Sequence, residues 1–248
     1  MIDTGKTRRS EVAAGPSGVW VLNQHGGPPD ELVRVDPGSG QVVARIGVGH
    51  NTARPVVGPD GLVWMTRAGA RSDRPELLMV NPATNRVGVT VPLPGADLRD
   101  GTRSLLVAWD TVWVVDGRGR LLRVALPVSQ AEPVIGAEDV AAVASAGGWV
   151  WAAGGGSLLR IDAVDGHVAA RVLSPQVRSG APVSALVSGQ DSLWLGGAAG
   201  PAPAWSAWTM APARPGGSSS SPPWPRCTGR SWRPASGWWP PASASSCA

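Results

Sequence analysis

The chain has 248 residues, among them 33 Gly and 24 Pro, which allows one large or two ordinary domains and disfavours long helices. Its net charge is +4, but residues 1–200 carry 18 Lys+Arg against 18 Asp+Glu, and the excess sits in Arg214, Arg226, Arg230 and Arg233. The patterned part therefore has no basic stripe, which argues against nucleic acid as a partner.

In chain order, Met1–Lys6 looks like a strand-ending turn, and Glu11-Val12-Ala13-Ala14-Gly15 like an inner strand. The polar stretch from Met1 to Gly15 lacks the apolar core of a signal peptide. No run approaches the roughly 18 apolar residues of a membrane-spanning helix. The compartment stays open, an exported parent included. Next come Val19-Trp20-Val21-Leu22, a polar loop, Leu32-Val33-Arg34-Val35-Asp36, the turn Pro37-Gly38-Ser39-Gly40, and Gln41-Val42-Val43-Ala44-Arg45-Ile46. Short runs rich in Val and Ile, bounded by Gly, Pro and Asp, predict half-buried strands joined by tight turns.

This unit recurs. Trp20, Trp64, Trp113, Trp151 and Trp194, each inside a short apolar run, are 44, 49, 38 and 43 residues apart. Between them recur Leu32–Asp36, Leu77-Leu78-Met79-Val80-Asn81, Leu121-Leu122-Arg123-Val124-Ala125 and Leu158-Leu159-Arg160-Ile161-Asp162. A repeat of roughly 40–45 residues with about four short strands has the size of one propeller blade. The fold expected is all-β: an incomplete β-propeller with blades near 11–47, 54–92, 103–135 and 139–173 and the start of a fifth at 183–197. In the fourth blade, Asp139–Ala144 is the expected inner strand, followed by the Trp151 run, Leu158–Asp162 and His167–Leu173. With Phe and Tyr absent, Trp is the only large aromatic that can pack between blades.

From Pro201 to Ala248 the composition changes. This segment contains no Val, Ile, Leu, Asp, Glu, Lys, His, Asn or Gln but has six Trp. Too few aliphatics to offset ordering entropy make it a low-complexity, disordered tail. Its Pro, Ala, Arg, Gly, Ser, Cys and Trp content also fits an out-of-frame reading of G+C-rich coding sequence, with the chain a truncated fragment. Cys227 and Cys247, the only cysteines, form neither a zinc motif nor a disulfide framework.

The Val-Trp-Val and Leu-Val-Arg-Val-Asp-Pro-Gly-Ser-Gly-Gln-Val-Val-Ala-Arg-Ile segments resemble the repeat of YVTN-type and streptogramin-lyase-like β-propellers, over roughly Met1 to Gly197. Ile161-Asp162-Ala163-Val164-Asp165-Gly166 is similar to pyrroloquinoline-quinone-type propeller repeats, without their closing tryptophan. The first resemblance implies either a non-enzymatic scaffold or a metal-dependent C–O lyase that uses histidines and a nearby acidic residue on the open face of the ring.

The residues bear on that choice. His25 falls between second and third strands and His50 between a fourth strand and the next inner one, two loop classes that open on one face. Neither has a carboxylate at ligand spacing. Asp165-Gly166-His167 is the sole acidic-x-His pattern, and it sits in an outer hairpin turn, where a turn role is expected. HExxH, GxSxG and a phosphate loop are absent, so no catalytic, metal or cofactor residues are expected. Arg67, Arg71 and Arg74 share one face loop, Arg99 and Arg103 another, and Arg118 lies in a third. Together they line a candidate anion-binding face, with ordinary surface charge balanced by Asp73, Asp97, Asp100 and Asp116 as the alternative. The leading expectation is a non-enzymatic propeller presenting this loop face to a protein or small ligand, with the C–O lyase as alternative.

Overall fold

The structure is a computed structural model that describes residues 3–5, 7–26, 29–68, 74–127, 130–173, 183–189, 192–199 and 202–209. The chain divides into two compact units, Met1–Val134 and Ile135–Ala248.

The first unit holds three four-stranded antiparallel meanders. Sheet one is β1 (Arg9–Gly15), β2 (Gly18–Gln24), β3 (Asp30–Val35) and β4 (Val42–Gly49). Sheet two is β5 (Thr52–Val57), β6 (Val63–Arg67), β7 (Glu76–Asn81) and β8 (Arg86–Pro92). Sheet three is β9 (Ser104–Ala108), β10 (Thr111–Val115), β11 (Leu121–Ala125) and the short β12 (Glu132–Pro133). Residues 3–5 add no strand. They run beside sheet one, where the Thr4 carbonyl accepts from Asn23 Nδ2 at 2.6 Å and Arg45 Nη1 at 3.0 Å.

The third-to-fourth hairpins follow from their Asp or Asn. Asp36 Oδ1 accepts from the Ser39 amide and hydroxyl, both at 2.7 Å, and the Ser39 side chain before all else holds its carboxyl below the usual range. Asn81 Oδ1 takes the Ala83 amide at 2.8 Å, and Asp162 Oδ1 the Val164 amide at 2.7 Å. These are Asx turns, in which the side chain replaces a backbone acceptor. The chain then leaves through positive φ at Gly40 (68°), Asn85 (50°) and Gly166 (78°).

Packing between the sheets follows from strand parity. Trp20, Leu22, Leu32, Ile46 and Val48 of sheet one cluster with Val63, Met65, Leu78 and Val80 of sheet two. Trp64, Leu77 and Val91, on the opposite face of sheet two, cluster with Val112, Val114 and Leu122 of sheet three. Sheets one and two also meet at Gly15, where an added Cβ would lie 2.6 Å from Val57 Cγ1. The second strands are the most deeply buried: every residue of β10 is buried. The reason is that such a sheet is flanked on both faces, which removes the polar alternation. Alternation survives in the outer strands β4 and β8.

One polar clamp joins sheets one and two. Arg34, paired with Trp20, lies 5.4 Å from the centroid of its ring. Its Nε donates to the Ser17 carbonyl at 2.9 Å, and Nη1 donates to the Pro82 carbonyl at 2.7 Å and Asn85 Oδ1 at 3.2 Å. The arginine thus reaches the outer turn of the next sheet.

The second unit holds β13 (Val140–Ala146), β14 (Trp149–Gly154), β15 (Ser157–Asp162) and β16 (Val168–Leu173), a four-stranded meander. It also holds a three-stranded sheet of β17 (Val183–Ser188), β18 (Ser192–Ala199) and β19 (Ala202–Thr209). Trp151 and Leu158 pack with Leu186, Leu193 and Leu195 of that sheet, with alanines 142, 144, 146 and 153 filling the narrow gap. On the sheet's other face Val187 and Trp194, a cross-strand pair, are 50% and 38% exposed. Sequence composition ended the fifth blade at Gly197, yet β19 pairs with β18 over its whole length. An edge strand needs only an extended backbone, tolerates Pro203, and is favoured by Trp205 and Trp208. The rest of the expected tail, from Met210 on, lies outside the described residues. Among the described residues no helix is long and apolar enough to cross a membrane.

Candidate functional site

In each meander of the first unit, the second-to-third connection and the exit of the fourth strand share one end, because neighbouring strands are antiparallel. The sequence-predicted residues gather at this end. His25 is exposed just after β2. His50 sits between Gly49 and Asn51, whose positive φ values of 103° and 54° turn the chain from β4 into β5. Its Nδ1 is shielded and has no hydrogen-bond partner among the described residues.

Arg67 closes over this turn. Its Nε and Nη2 donate to Glu76 Oε2 at 2.9 and 2.5 Å, and Nη1 donates to the Val48 carbonyl at 3.3 Å. Gly49 gives it room, since a Cβ there would stand 2.9 Å from Arg67 Cδ. Arg74 is exposed at the entry to β7, and Arg71 lies outside the described residues.

The densest arrangement joins the β8–β9 and β10–β11 loops. Asp116, fully buried, organises it. Its Oδ1 accepts the amides of Arg118 and Arg120, both at 2.9 Å, and its Oδ2 accepts the Asp97 amide at 3.1 Å and Arg120 Nε at 3.0 Å. The Gly117 amide donates to the Asp97 carbonyl at 2.7 Å. Gly117 has to be a glycine for this approach, because a Cβ would fall 2.9 Å from that carbonyl oxygen. Held in this way, Asp97 gathers two arginines. Arg99 donates from Nε and Nη2 at 3.0 and 2.6 Å, and Arg118 Nε lies 2.8 Å from Oδ2. The Arg99 side chain, then its backbone amide, holds the Asp97 carboxyl well below the usual carboxylate range. Arg103 Nε donates to the Gly117 carbonyl at 3.0 Å, which ties the same two loops.

Two guanidinium groups thus share one carboxylate. The side chains of Arg99 and Arg118 remain 62% and 67% exposed against 14% for Asp97. The sites that remain free on both cations face solvent and can meet a carboxylate or phosphate. Sequence reading singled out the arginines but treated Asp97 and Asp116 as balancing charge. The available signal was Asp116-Gly117-Arg118-Gly119, an Asp followed by two turn glycines that marks a side-chain-capped loop.

His167 is in the β15–β16 turn, its amide donating to Asp165 Oδ1 at 2.8 Å and its carbonyl accepting the Asp162 amide at 2.8 Å. Among the described residues no three His, Cys, Asp or Glu side chains are grouped to hold a metal ion.

No family model matches the chain, and no curated protein does. Solved structures do. The β-propeller domain of Cps50 (Swd1) from Myceliophteria thermophila matches with a TM-score of 0.67 at 10% identity, over 94% of this chain and 74% of that one. Kuenenia stuttgartiensis hydrazine synthase matches at 0.55 and 12% identity, over 94% and 68%. The computationally designed Ika8 protein matches at 0.57 and 16% identity, over 80% of this chain and 58% of its own length. At these identities the likeness speaks to fold alone: the chain has an all-β, incomplete β-propeller fold.

Proposed function

We propose that the protein is a non-enzymatic β-propeller scaffold whose loop face binds an anionic group on a protein or small ligand. The observation that carries this reading is the pair Arg99 and Arg118, positioned by one carboxylate and exposed beyond it. Asp97 and Asp116 fix the two loops before any ligand arrives, so little conformational entropy is lost on binding. The buried Asp116 determines where the cations stand, and the excess positive charge at the rim selects anions. No specific observation favours the metal-dependent C–O lyase reading.

The test is titration of labelled hexaglutamate, and separately of pyrophosphate, followed by fluorescence anisotropy and calorimetry. Replacing Arg99 and Arg118 together by Gln weakens binding at least about tenfold, the loss of one or two charge-assisted contacts. The control Arg86→Gln, an exposed arginine at the start of β8 on the opposite end of its sheet, leaves it unchanged. Equal affinity for all three proteins, or no binding by the unsubstituted one, overturns the reading.

A further inference from the structure

The two ends of the first unit differ in charge. The first-to-second and third-to-fourth turns share the end opposite the arginine loops. Among the described residues this end carries Asp36, Asp60, Asp110, Arg34 and Arg86, and Arg34 is spent on the turn at Pro82 and Asn85. The β9–β10 hairpin lies here. Ala108 pairs with Thr111, so Trp109 and Asp110 form a two-residue turn. Trp109 has a φ of 52°, which is rare for a bulky side chain. It is also the most exposed tryptophan among the described residues, at 48%. The corresponding hairpin of β13 and β14 uses Gly147 and Gly148, at φ 59° and 81°, which adopt this backbone without strain. Sheet three thus keeps a large aromatic ring where the backbone favours glycine and where nearly half of the residue stays in water. Backbone strain of this kind gathers at functional positions.

Two carboxylates accompany it without a cation. Asp110 is exposed within the turn, and Asp60 is exposed in the neighbouring turn between β5 and β6. That turn presses against β9: a Cβ added at Gly58 would lie 2.6 Å from Asp60 Oδ1 and 3.2 Å from Cγ1 of Val107, two residues before Trp109. Asp60 Oδ1 accepts the Leu62 amide at 3.0 Å. Neither Asp60 nor Asp110 is ion-paired among the described residues. An open indole with two unneutralised carboxylates close by is complementary to guanidinium groups, which stack on aromatic faces and pair bidentately with carboxylates.

We propose that the Trp109–Asp110 hairpin, together with Asp60, is a docking site for an arginine-bearing segment of a separate protein. One guanidinium of the segment stacks on Trp109, and that group and its neighbour pair with Asp110 and Asp60. Arginine fits better than lysine, because its planar fork serves ring and carboxylate at once. The site takes cations at the end opposite the loops that take anions, so it stands apart from the function proposed for that face.

The probe is the capped peptide acetyl-Gly-Arg-Gly-Arg-Gly-amide, titrated into the full chain by calorimetry at low salt. Saturable binding with a Kd on the order of 0.1 mM is expected. Citrulline in place of both peptide arginines keeps their shape, removes their charge and weakens binding about tenfold or more. Trp109→Leu leaves an apolar side chain on the same backbone and weakens it about threefold or more. Asp60→Asn combined with Asp110→Asn keeps an acceptor for the Leu62 amide and weakens it about tenfold or more. Asp165→Asn, at an exposed aspartate of the β15–β16 turn, leaves the affinity unchanged. No saturable binding below about 1 mM, equal binding of the citrulline peptide, full affinity in either hairpin variant, or an equal loss in Asp165→Asn overturns the proposal. Concentration-dependent self-association of the chain, blocked by the peptide and absent in Trp109→Leu, would assign the hairpin to a second copy and overturn the separate-partner reading.

Discussion

Replacing Arg34 by Met tests how much the clamp between sheets one and two contributes. Met is the choice because Met79 holds the same position opposite Trp64, so the fold tolerates it and contact of the aliphatic stem with the ring is kept. The substitution removes two bonds to the next sheet, at 2.7 and 3.2 Å, one to the Ser17 carbonyl at 2.9 Å, and the ring contact at 5.4 Å. A hydrogen bond from a charged donor contributes about 1.5–3 kcal/mol net, and an exposed cation–π contact about 0.5–1. Arg34 is partly exposed, so water replaces some of these contacts. Each bond then contributes about 0.5–1 kcal/mol, as an ordinary hydrogen bond does, for a total of about 2–3 kcal/mol with the ring contact. For a chain of this length that corresponds to a fall of roughly 5–10 °C in thermal midpoint. Circular dichroism melting, repeated in urea, measures it. Arg34→Lys keeps the charge but not the planar fork and falls between the two. A change below about 0.5 kcal/mol for Arg34→Met would mean that the turn at Pro82–Asn85 is not held by this arginine.

Three further outcomes follow from the same geometry. Asp116→Asn places an amide where four donors converge and costs about 2–4 kcal/mol in urea unfolding, and an unchanged midpoint would remove Asp116 as organiser of the two loops. Trp20→Phe costs about 1 kcal/mol more than Trp64→Phe, because Trp20 Nε1 donates to Ser17 Oγ at 3.0 Å whereas Trp64 Nε1 is buried with no partner among the described residues; equal losses would contradict this. The folded Asp97 carboxyl titrates below the 3.8 of an unperturbed aspartate. Its contribution to stability is therefore present above that value and is lost as pH falls through the lower folded one. A carboxyl carbon NMR titration with a midpoint at or above 3.8 would refute it.

The repeat and its strand order were legible because they rest on signals that act locally. Tryptophans inside Val-rich runs set the second strands, and an Asp or Asn sets the outer turns after β3, β7 and β15, so β13 to β16 fall within one or two residues of the expected strands. That each blade has two apolar faces for its neighbours to cover was legible in the Val- and Trp-rich runs, but which residues meet those of β10 was not, since that depends on neighbours far away in sequence. The strand at Ala202–Thr209 was missed for a related reason: composition reports what a segment can bury, whereas an edge needs only backbone pairing. At the loop face the arginines were visible, but their geometry was not. Asp97 and Asp116 meet only when the β8–β9 and β10–β11 loops are brought together, and no spacing within either loop encodes that meeting.

The central claim is that successive sheets of the first unit face one another across packed side chains. Gly15→Ala tests it most directly, through the sign of the effect. Gly15 ends β1 with no positive φ, so in an unopposed strand alanine would stabilise by about 0.5–1 kcal/mol. Facing Val57 at 2.6 Å, the added methyl must displace a neighbouring strand, and the account predicts a loss of about 1–3 kcal/mol. The double variant with Val57→Gly is predicted to show a favourable coupling energy of about 1 kcal/mol or more in a urea-unfolding cycle. A stabilising Gly15→Ala with zero coupling to Val57 would contradict the face-to-face packing from which the rest of the structure is built.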